Sequence, residues 1–223
     1  MRRVQVFDVN ETLLDLAALD PHFRRIFGDA GVRQAWFEQM ISSALVATVT
    51  GAYHQFGAIG AGALEMTAER AGIRLREEDR QAVLGQVRAL PAHPEVPGAL
   101  RRLREAGLRL AALTNSTEQV ARAQLEHAGL IDAFELVLSA DMVRRLKPAP
   151  EPYRMAAERL GVAVGEVRLV AAHAWDVAGA LRAGCAAAFV ARPGRVLDPL
   201  ADRPDVAGAD LAEVAERILA ADQ

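Results

Sequence analysis

Four short stretches of this chain place reactive side chains directly after apolar runs. Val4 to Phe7 leads into Asp8-Val9-Asn10-Glu11-Thr12, and Leu108 to Leu113 leads into Thr114-Asn115-Ser116. Phe134 to Leu138 is followed, after a loop, by Lys147, and Val167 to Ala171 leads into Ala172-His173-Ala174-Trp175-Asp176. A carboxylate, a hydroxyl, an ammonium and a second carboxylate therefore stand at four successive strand ends. Open α/β sheets bind ligands at the carboxyl ends of their strands, so a parallel sheet brings these groups together. Each residue also has a plainer use. Asp8 and Asp176 can form turns or caps, the latter for a helix starting at Val177. Thr114 to Thr117 can cap a helix beginning at Glu118. Lys147-Pro148 can be a solvated loop, and His173 an ordinary polar loop residue. It is the joint order that favours a site.

Lys147 is the single lysine in a chain with 25 arginines. An ammonium is a compact point charge and a guanidinium a broad planar fork. Keeping one lysine, in a Lys-Pro step, hints that the position needs the former.

The elements that would hold these groups follow from periodicity. His22 to Phe27, Val32 to Thr48, Ala58 to Ala71 and Glu77 to Ala89 each gather apolar residues on one helical face. Gly28, Gly51, Gly57 and Gly72 punctuate them, and Pro91, Pro94 and Pro97 mark a crossing. Beyond it helices and strands alternate: helix Gly98–Ala106, strand Leu108–Leu113, helix Glu118–Ala128, strand Phe134–Leu138, helix Glu151–Leu160. Strand Val167–Ala171, helix Val177–Arg182, strand Ala186–Val190 and helix Leu211–Ala220 complete the series. This predicts an α/β fold, a Rossmann-like parallel sheet core covered on both faces, with an inserted all-helical cap. The expected core is residues 1–14 and 95–223, and the expected cap residues 15–94.

Composition excludes several classes. With 26 basic and 29 acidic residues the net charge is −3, without the basic field of a dedicated nucleic-acid binder. Cys185 is the only cysteine, which excludes an intrachain disulfide framework and fits a reducing compartment. No basic neighbour activates it, so it reads as a core residue. The longest apolar stretches, such as Cys185 to Ala191, are too short or too broken by glycine to span a bilayer. Met1-Arg2-Arg3 runs straight into a strand with no apolar signal region. The expectation is a soluble cytoplasmic protein with a small-molecule substrate, and neither nucleic acid nor membrane as partner.

The order of these motifs resembles the haloacid dehalogenase superfamily, and within it the (S)-2-haloacid dehalogenase branch, over nearly the whole chain. Phe7 to Asp15 is similar to the nucleophile motif, and Leu113-Thr114-Asn115-Ser116 to the second motif. Lys147-Pro148 with Tyr153 is similar to the third. Ala174-Trp175-Asp176 is similar to the Trp-Asp form of the fourth, where phosphatases of the superfamily usually carry Gly-Asp. The resemblance implies that Asp8 is a nucleophile that forms a covalent ester, and that Lys147 keeps it ionised. Thr12 and Thr114 would offer hydroxyls, with Asn10, Asn115, Tyr153, Trp175 and Phe37 around the substrate. Asp176 would fix Lys147 or position water. It also implies a homodimer.

The residue two after the nucleophile separates reaction classes. Phosphatases of the superfamily carry an acid there, which protonates an alkoxide. Here it is Asn10, which suits a halide that leaves without a proton. Mg²⁺ prefers oxygen ligands, and the position four before Asp176 is Ala172, so no cofactor is expected. Mg²⁺ belongs to the alternative, a phosphatase. A catalytically weak binding protein of the same fold is the other alternative. Three features depart from the dehalogenase pattern. Asn10 and Glu11 stand where an aromatic residue and Gly are usual. Phe37, after Trp36, stands where a halide-accepting Arg is usual. Ala171-Ala172-His173 replaces Ser-Ser-Asn. Arg33 or another cap residue could supply the missing cation, and His173 could activate water.

Overall fold

The computed structural model describes residues 3–222, so the first two residues of the leader reading, Met1 and Arg2, lie outside the described residues. β1 (Val4–Phe7) is followed by four helices, α1 (Asp20–Phe27), α2 (Val32–Thr50), α3 (Phe56–Arg70) and α4 (Glu77–Val87). The chain continues through α5 (Val96–Glu105), β2 (Leu110–Thr114), α6 (Glu118–His127), β3 (Leu136–Ser139) and α7 (Pro150–Leu160). β4 (Val167–Ala171), α8 (Ala174–Ala183), β5 (Ala186–Val190), β6 (Val206–Gly208) and α9 (Leu211–Ala221) complete it.

All six strands are parallel, in the order β3-β2-β1-β4-β5-β6. The order reverses between β1 and β4, and a crevice opens at the carboxyl ends of strands at such a reversal. Asp8 follows β1 and His173 follows β4, so the topology itself puts them side by side. The strands alternate in the faces they serve. Val4, Val6, Leu113, Leu169, Ala171, Ala187 and Phe189 pack with Tyr153, Leu160, Val177 and Ala180 of α7 and α8. Phe7, Leu110, Ala112, Val170, Ala188 and Val190 face the other way, onto Leu100, Leu103, Leu125, Val214 and Ile218 of α5, α6 and α9. That second cluster runs without a break into Phe23, Trp36, Phe37, Met40 and Leu64 of the helical segment. There α2 and α3 approach closely because Gly60 has no side chain. A Cβ on Gly60 would stand 2.9 Å from Met40 Sδ, and the bare backbone carbonyl accepts a hydrogen bond from Trp36 Nε1 at 2.9 Å.

Element ends shift by a few residues, as where β2 begins at Leu110 and not Leu108, and three differences are informative. β6 is an added strand that three residues cannot announce by periodicity; its pairing Val190↔Gly208 extends the sheet. β3 begins at Leu136, not Phe134, because a short 3₁₀ turn at Ile131–Ala133 precedes it. α8 starts at Ala174, so Asp176 lies within its first turn and does not cap a helix from Val177. Among the described residues no helix is long and apolar enough to cross a membrane. Cys185 is buried, and desolvation pushes its thiol up to about 12, which leaves it a protonated core residue.

A buried ion cluster ties the last helix to the sheet. Arg168 on β4 gives Nη1 and Nη2 to Asp222 at 2.9 Å each, and Nε and Nη2 to Asp205. Gln5 on β1 also donates to Asp222. Removing one partner of a buried pair leaves an uncompensated charge. Arg168→Ala is therefore expected to lower stability by about 3 kcal/mol, read from urea unfolding.

Candidate active site

The loop after β1 is wound so tightly that its backbone closes on itself. Leu13 and Leu14 amides both donate to Val9 O, and Glu11 N donates to Leu14 O. Leu13 and Leu14 anchor the loop in the core. Arg192 holds its far side, donating to Thr12 O at 2.7 Å while paired with Glu95. This winding aims Asp8 into the crevice and carries Thr12 back over it. Thr12 Oγ1 donates to Asp8 Oδ2 at 2.7 Å and accepts from Ala172 N at 3.0 Å, which links the ends of β1 and β4.

Lys147 reaches the same carboxylate from the loop after β3. Its ammonium is fully buried and donates to Asp8 Oδ1 at 2.8 Å, Asp176 Oδ2 at 2.6 Å and Leu113 O at 3.0 Å. Asn115 clamps the lysine's backbone, accepting from Lys147 N at 2.8 Å and donating to Lys147 O. Burial disfavours each of these charges, and for Lys147 and Asp8 the mutual attraction outweighs it. Burial pulls Lys147 down, but Asp176 and Asp8 raise it further above its usual range. Burial pushes Asp8 up, yet the Lys147 charge and His173 bring it well below the ordinary carboxylate range. Asp176 is pushed up, chiefly by burial and also by the nearby Asp8 charge.

Tyr153, read from the sequence as a substrate contact, has a different place. Its hydroxyl donates to Asp176 Oδ1 at 2.6 Å and lies against α8, behind the ion pair. Thr114 ends β2, where its Oγ1 accepts from Ser116 N at 3.1 Å. Asn10 is held by Gln124, whose Nε2 donates to Asn10 Oδ1 at 3.0 Å. Asp8, Asn10, Phe37, Thr114, Asn115, His173 and Trp175 line a chamber little larger than a water molecule. Asn10 and Phe37 also line a neighbouring cleft of about 620 Å³ between the helical segment and α6.

His173 lies between two rings, with its centroid 5.5 Å from Phe37 and 5.2 Å from Trp175. Its Nε2 stands 2.9 Å from Glu11 Oε2, and its Nδ1 stands 3.4 Å from Asp8 Oδ2 without an aligned hydrogen bond. Burial draws the imidazole down, but the Asp8 and Glu11 carboxylates outweigh it and push it up to about 9. In the free protein the ring is therefore biased towards its protonated form, and part of that bias comes from the Asp8 charge, which esterification would remove. Arg33, considered above as the missing cation, pairs with Asp20 and stands 3.8 Å from Glu11.

Sequence reasoning missed three contributors. Glu11 takes a left-handed conformation with φ 61°, a cost of about 1 kcal/mol or more for a residue with a side chain. Its carboxylate is held by His173, Arg195 and Arg33, and His173 and Arg195 bring it below its usual range against the pull of burial. Arg195 also lies over the Phe37 ring, at 5.7 Å. The charged side chain at a position usually given to Gly was a usable signal for Glu11. Arg195 and Gln124 had none, since they arrive from a patternless loop and from the middle of a helix.

The donor set does not suit Mg²⁺. Both oxygens of Asp176 already accept from Lys147 and Tyr153, Ala172 offers no ligand, and the described residues contain no cluster of three or more metal-ligating side chains.

A profile described as haloacid dehalogenase-like hydrolase matches residues 3–184. The (S)-2-haloacid dehalogenase of Pseudomonas sp. (strain YL) is 29% identical over 212 residues, covering 94% of this chain and 91% of that protein. (S)-2-haloacid dehalogenase 1 of Pseudomonas sp. (strain CBS-3) is 32% identical over 180 residues, covering 80% and 79%. Among solved structures, the L-2-haloacid dehalogenase of Xanthobacter autotrophicus with chloropropionic acid covalently bound superposes with a TM-score of 0.89. Its identity is 26%, covering 97% of this chain and 98% of that one.

Two outcomes are expected. In ¹⁵N-edited NMR, His173 should titrate near pH 9 and not near 6.5. Its folded value is raised, so the stability it contributes is full below about 6.5 and is lost as pH climbs through about 9. Gly179→Ala would place a Cβ 2.5 Å from Pro148 Cβ and 2.7 Å from Tyr153 Oη. Its expected cost is about 1–3 kcal/mol in chemical denaturation. Adding Tyr153→Phe should recover part of it by removing the hydroxyl.

Proposed function

Since the chain belongs to the haloacid dehalogenase-like hydrolases, we propose that it hydrolyses the carbon–halogen bond of small (S)-2-haloacids and releases 2-hydroxy acids. The observation that carries this reading is the company Asp8 keeps. It is an ionised carboxylate fixed by Lys147 and Thr12, while the position two residues on holds Asn10, a non-titrating amide bound to Gln124. A nucleophile is present, and the carboxylic acid that would serve an alkoxide leaving group from two residues on is replaced by an amide. Halide is so weak a base that it departs unprotonated.

In this mechanism an Asp8 oxygen attacks C2 from the side opposite the halogen, and the carbon inverts. Water then adds to the carboxyl carbon of the Asp8 ester, which restores Asp8 and frees the hydroxy acid. Lys147 holds the carboxylate in its attacking orientation, and Asp176 with Tyr153 holds Lys147. Asn115 fixes the lysine's backbone. Phe37 and Trp175 wall the chamber against water, which strengthens the charges inside. The reaction proceeds without metal in this reading, as the donor set supports. The names of the relatives support the substrate class, and the adduct in the Xanthobacter structure supports the covalent step. The balanced charge and the single buried thiol support a cytoplasmic protein. A homodimer is proposed on the family resemblance.

Halide release from chloro-, bromo- and fluoroacetate and from both 2-chloropropionate enantiomers tests the reading, with intact-mass detection of the Asp8 adduct. Turnover of the (S) enantiomer, indifferent to EDTA, is expected. Asp8→Asn should abolish it, by at least about 10³-fold. Brisk Mg²⁺-dependent release of orthophosphate from an aryl phosphate, with no halide from any substrate, would reverse the assignment.

A further inference from the structure

The space at the nucleophile is smaller than any substrate that could use it. The chamber beside Asp8 admits little more than a water molecule, and even a chloroacetate ion is several times that size. The rest of a substrate must lie elsewhere. Three residues of the chamber, Asn10, Phe37 and Phe56, also line the cleft of about 620 Å³ between the helical segment and α6. Single side chains thus form the partition between the two spaces. Pockets that take small organic ligands run from about 300 to 1,000 Å³, so the cleft is of ligand size and the chamber is not.

Asn10 is the smallest member of the partition, and it is drawn to one side. Gln124 Nε2 donates to Asn10 Oδ1 at 3.0 Å and to Val87 O, in the last turn of α4, at 2.7 Å. Val87 itself lines the cleft. An aromatic ring, the usual residue here in the family resemblance, would need more room than Asn10 takes. Beyond the partition the cleft is floored by Trp36, Met40, Leu84 and Val87. The two acids that reach it, Glu118 and Asp141, are committed to Arg122 and Tyr53, which leaves an apolar floor and no free carboxylate to attract a cation.

We propose that this cleft binds the hydrocarbon chain of a 2-haloalkanoic acid, and that Asn10 is the specificity-determining residue that lets the chain pass into it from the reacting carbon. The proposal rests on the dehalogenase reading above and extends its substrates to acids with several carbons beyond C2. The reaction is unchanged. An Asp8 lone pair forms the O–C bond at C2, and the halide leaves on the opposite side with the bonding pair. The chain, which takes no part in bond making, lies along the floor and gives up its contact with water there.

The test is a chain-length series of (S)-2-bromo acids. From bromopropionate through bromobutanoate to bromohexanoate, kcat/KM should rise by about two- to fourfold for each methylene that enters the cleft. The gain should lie mainly in KM, because the chain is bound equally before and during displacement. Gly57, in the first turn of α3, lines the cleft with open space where a Cβ would stand. Gly57→Trp should therefore fill the cleft and cancel the rise while leaving bromoacetate turnover unchanged. Ala58→Trp, from the next position, gives the same reading if the first variant fails to fold. Asn10→Phe should lower the ratio of bromohexanoate to bromoacetate turnover. A wild-type kcat/KM that is flat or falls with chain length would overturn the proposal, as would equal losses on bromoacetate and bromohexanoate in the tryptophan variants. Wild-type protein inert towards every haloacid, bromoacetate included, would instead remove the reading on which it stands.

Discussion

A buried ammonium must be neutralised where it stands, and the site depends on how Lys147 meets that need. Three acceptors surround its Nζ, two of them carboxylates from opposite sides of the point where the strand order reverses. Withdrawing either carboxylate would strand a charge away from water at a cost of several kcal/mol. The arrangement therefore holds itself together. Asp8 stays ionised because Lys147 is charged, Lys147 stays charged because Asp8 and Asp176 are, and Tyr153 and Asn115 keep the geometry from drifting. A nucleophile poised in this way needs no reorganisation when substrate arrives.

Around this centre the chain has a second charged cluster of its own design. Glu11, His173, Arg195 and Arg33 form a chain of opposite charges from the edge of the chamber towards the outside. Glu11 accepts an unfavourable backbone conformation to take part. Strain of this kind persists where surrounding contacts over-determine it, and three cations on one carboxylate do so.

How much of this could be read in advance depends on the range of the interaction. Asp8, Lys147 and Asp176 were legible because each follows an apolar strand, and strand ends in a parallel sheet share one edge. The six-residue winding after β1 was not, since its form comes from backbone closure and from Arg192, some 180 positions away in sequence. Tyr153 was recognisable as part of a motif, but its side of the ion pair was set by Gly179 leaving room for it. β6 escaped notice because three residues carry no period, and its pairing depends wholly on the neighbouring strand. The charge on His173 came into view only when two carboxylates from one loop were placed beside it.

The apolar seam that passes without interruption from the sheet into the helical segment has a consequence for how this protein can vary. Phe7, Val9 and Leu13 belong to the same packed cluster as Phe23, Trp36 and Leu64. Close-packed interiors transmit volume changes to their neighbours. Grafting a foreign helical segment onto this sheet would thus have to match an existing interior as well as join two chain ends. Diversification is left to the exposed side chains of the open cleft, Gln55, Ala58, Arg88 and Gln119, since Trp36, Phe37 and Met40 line it as members of the packed cluster.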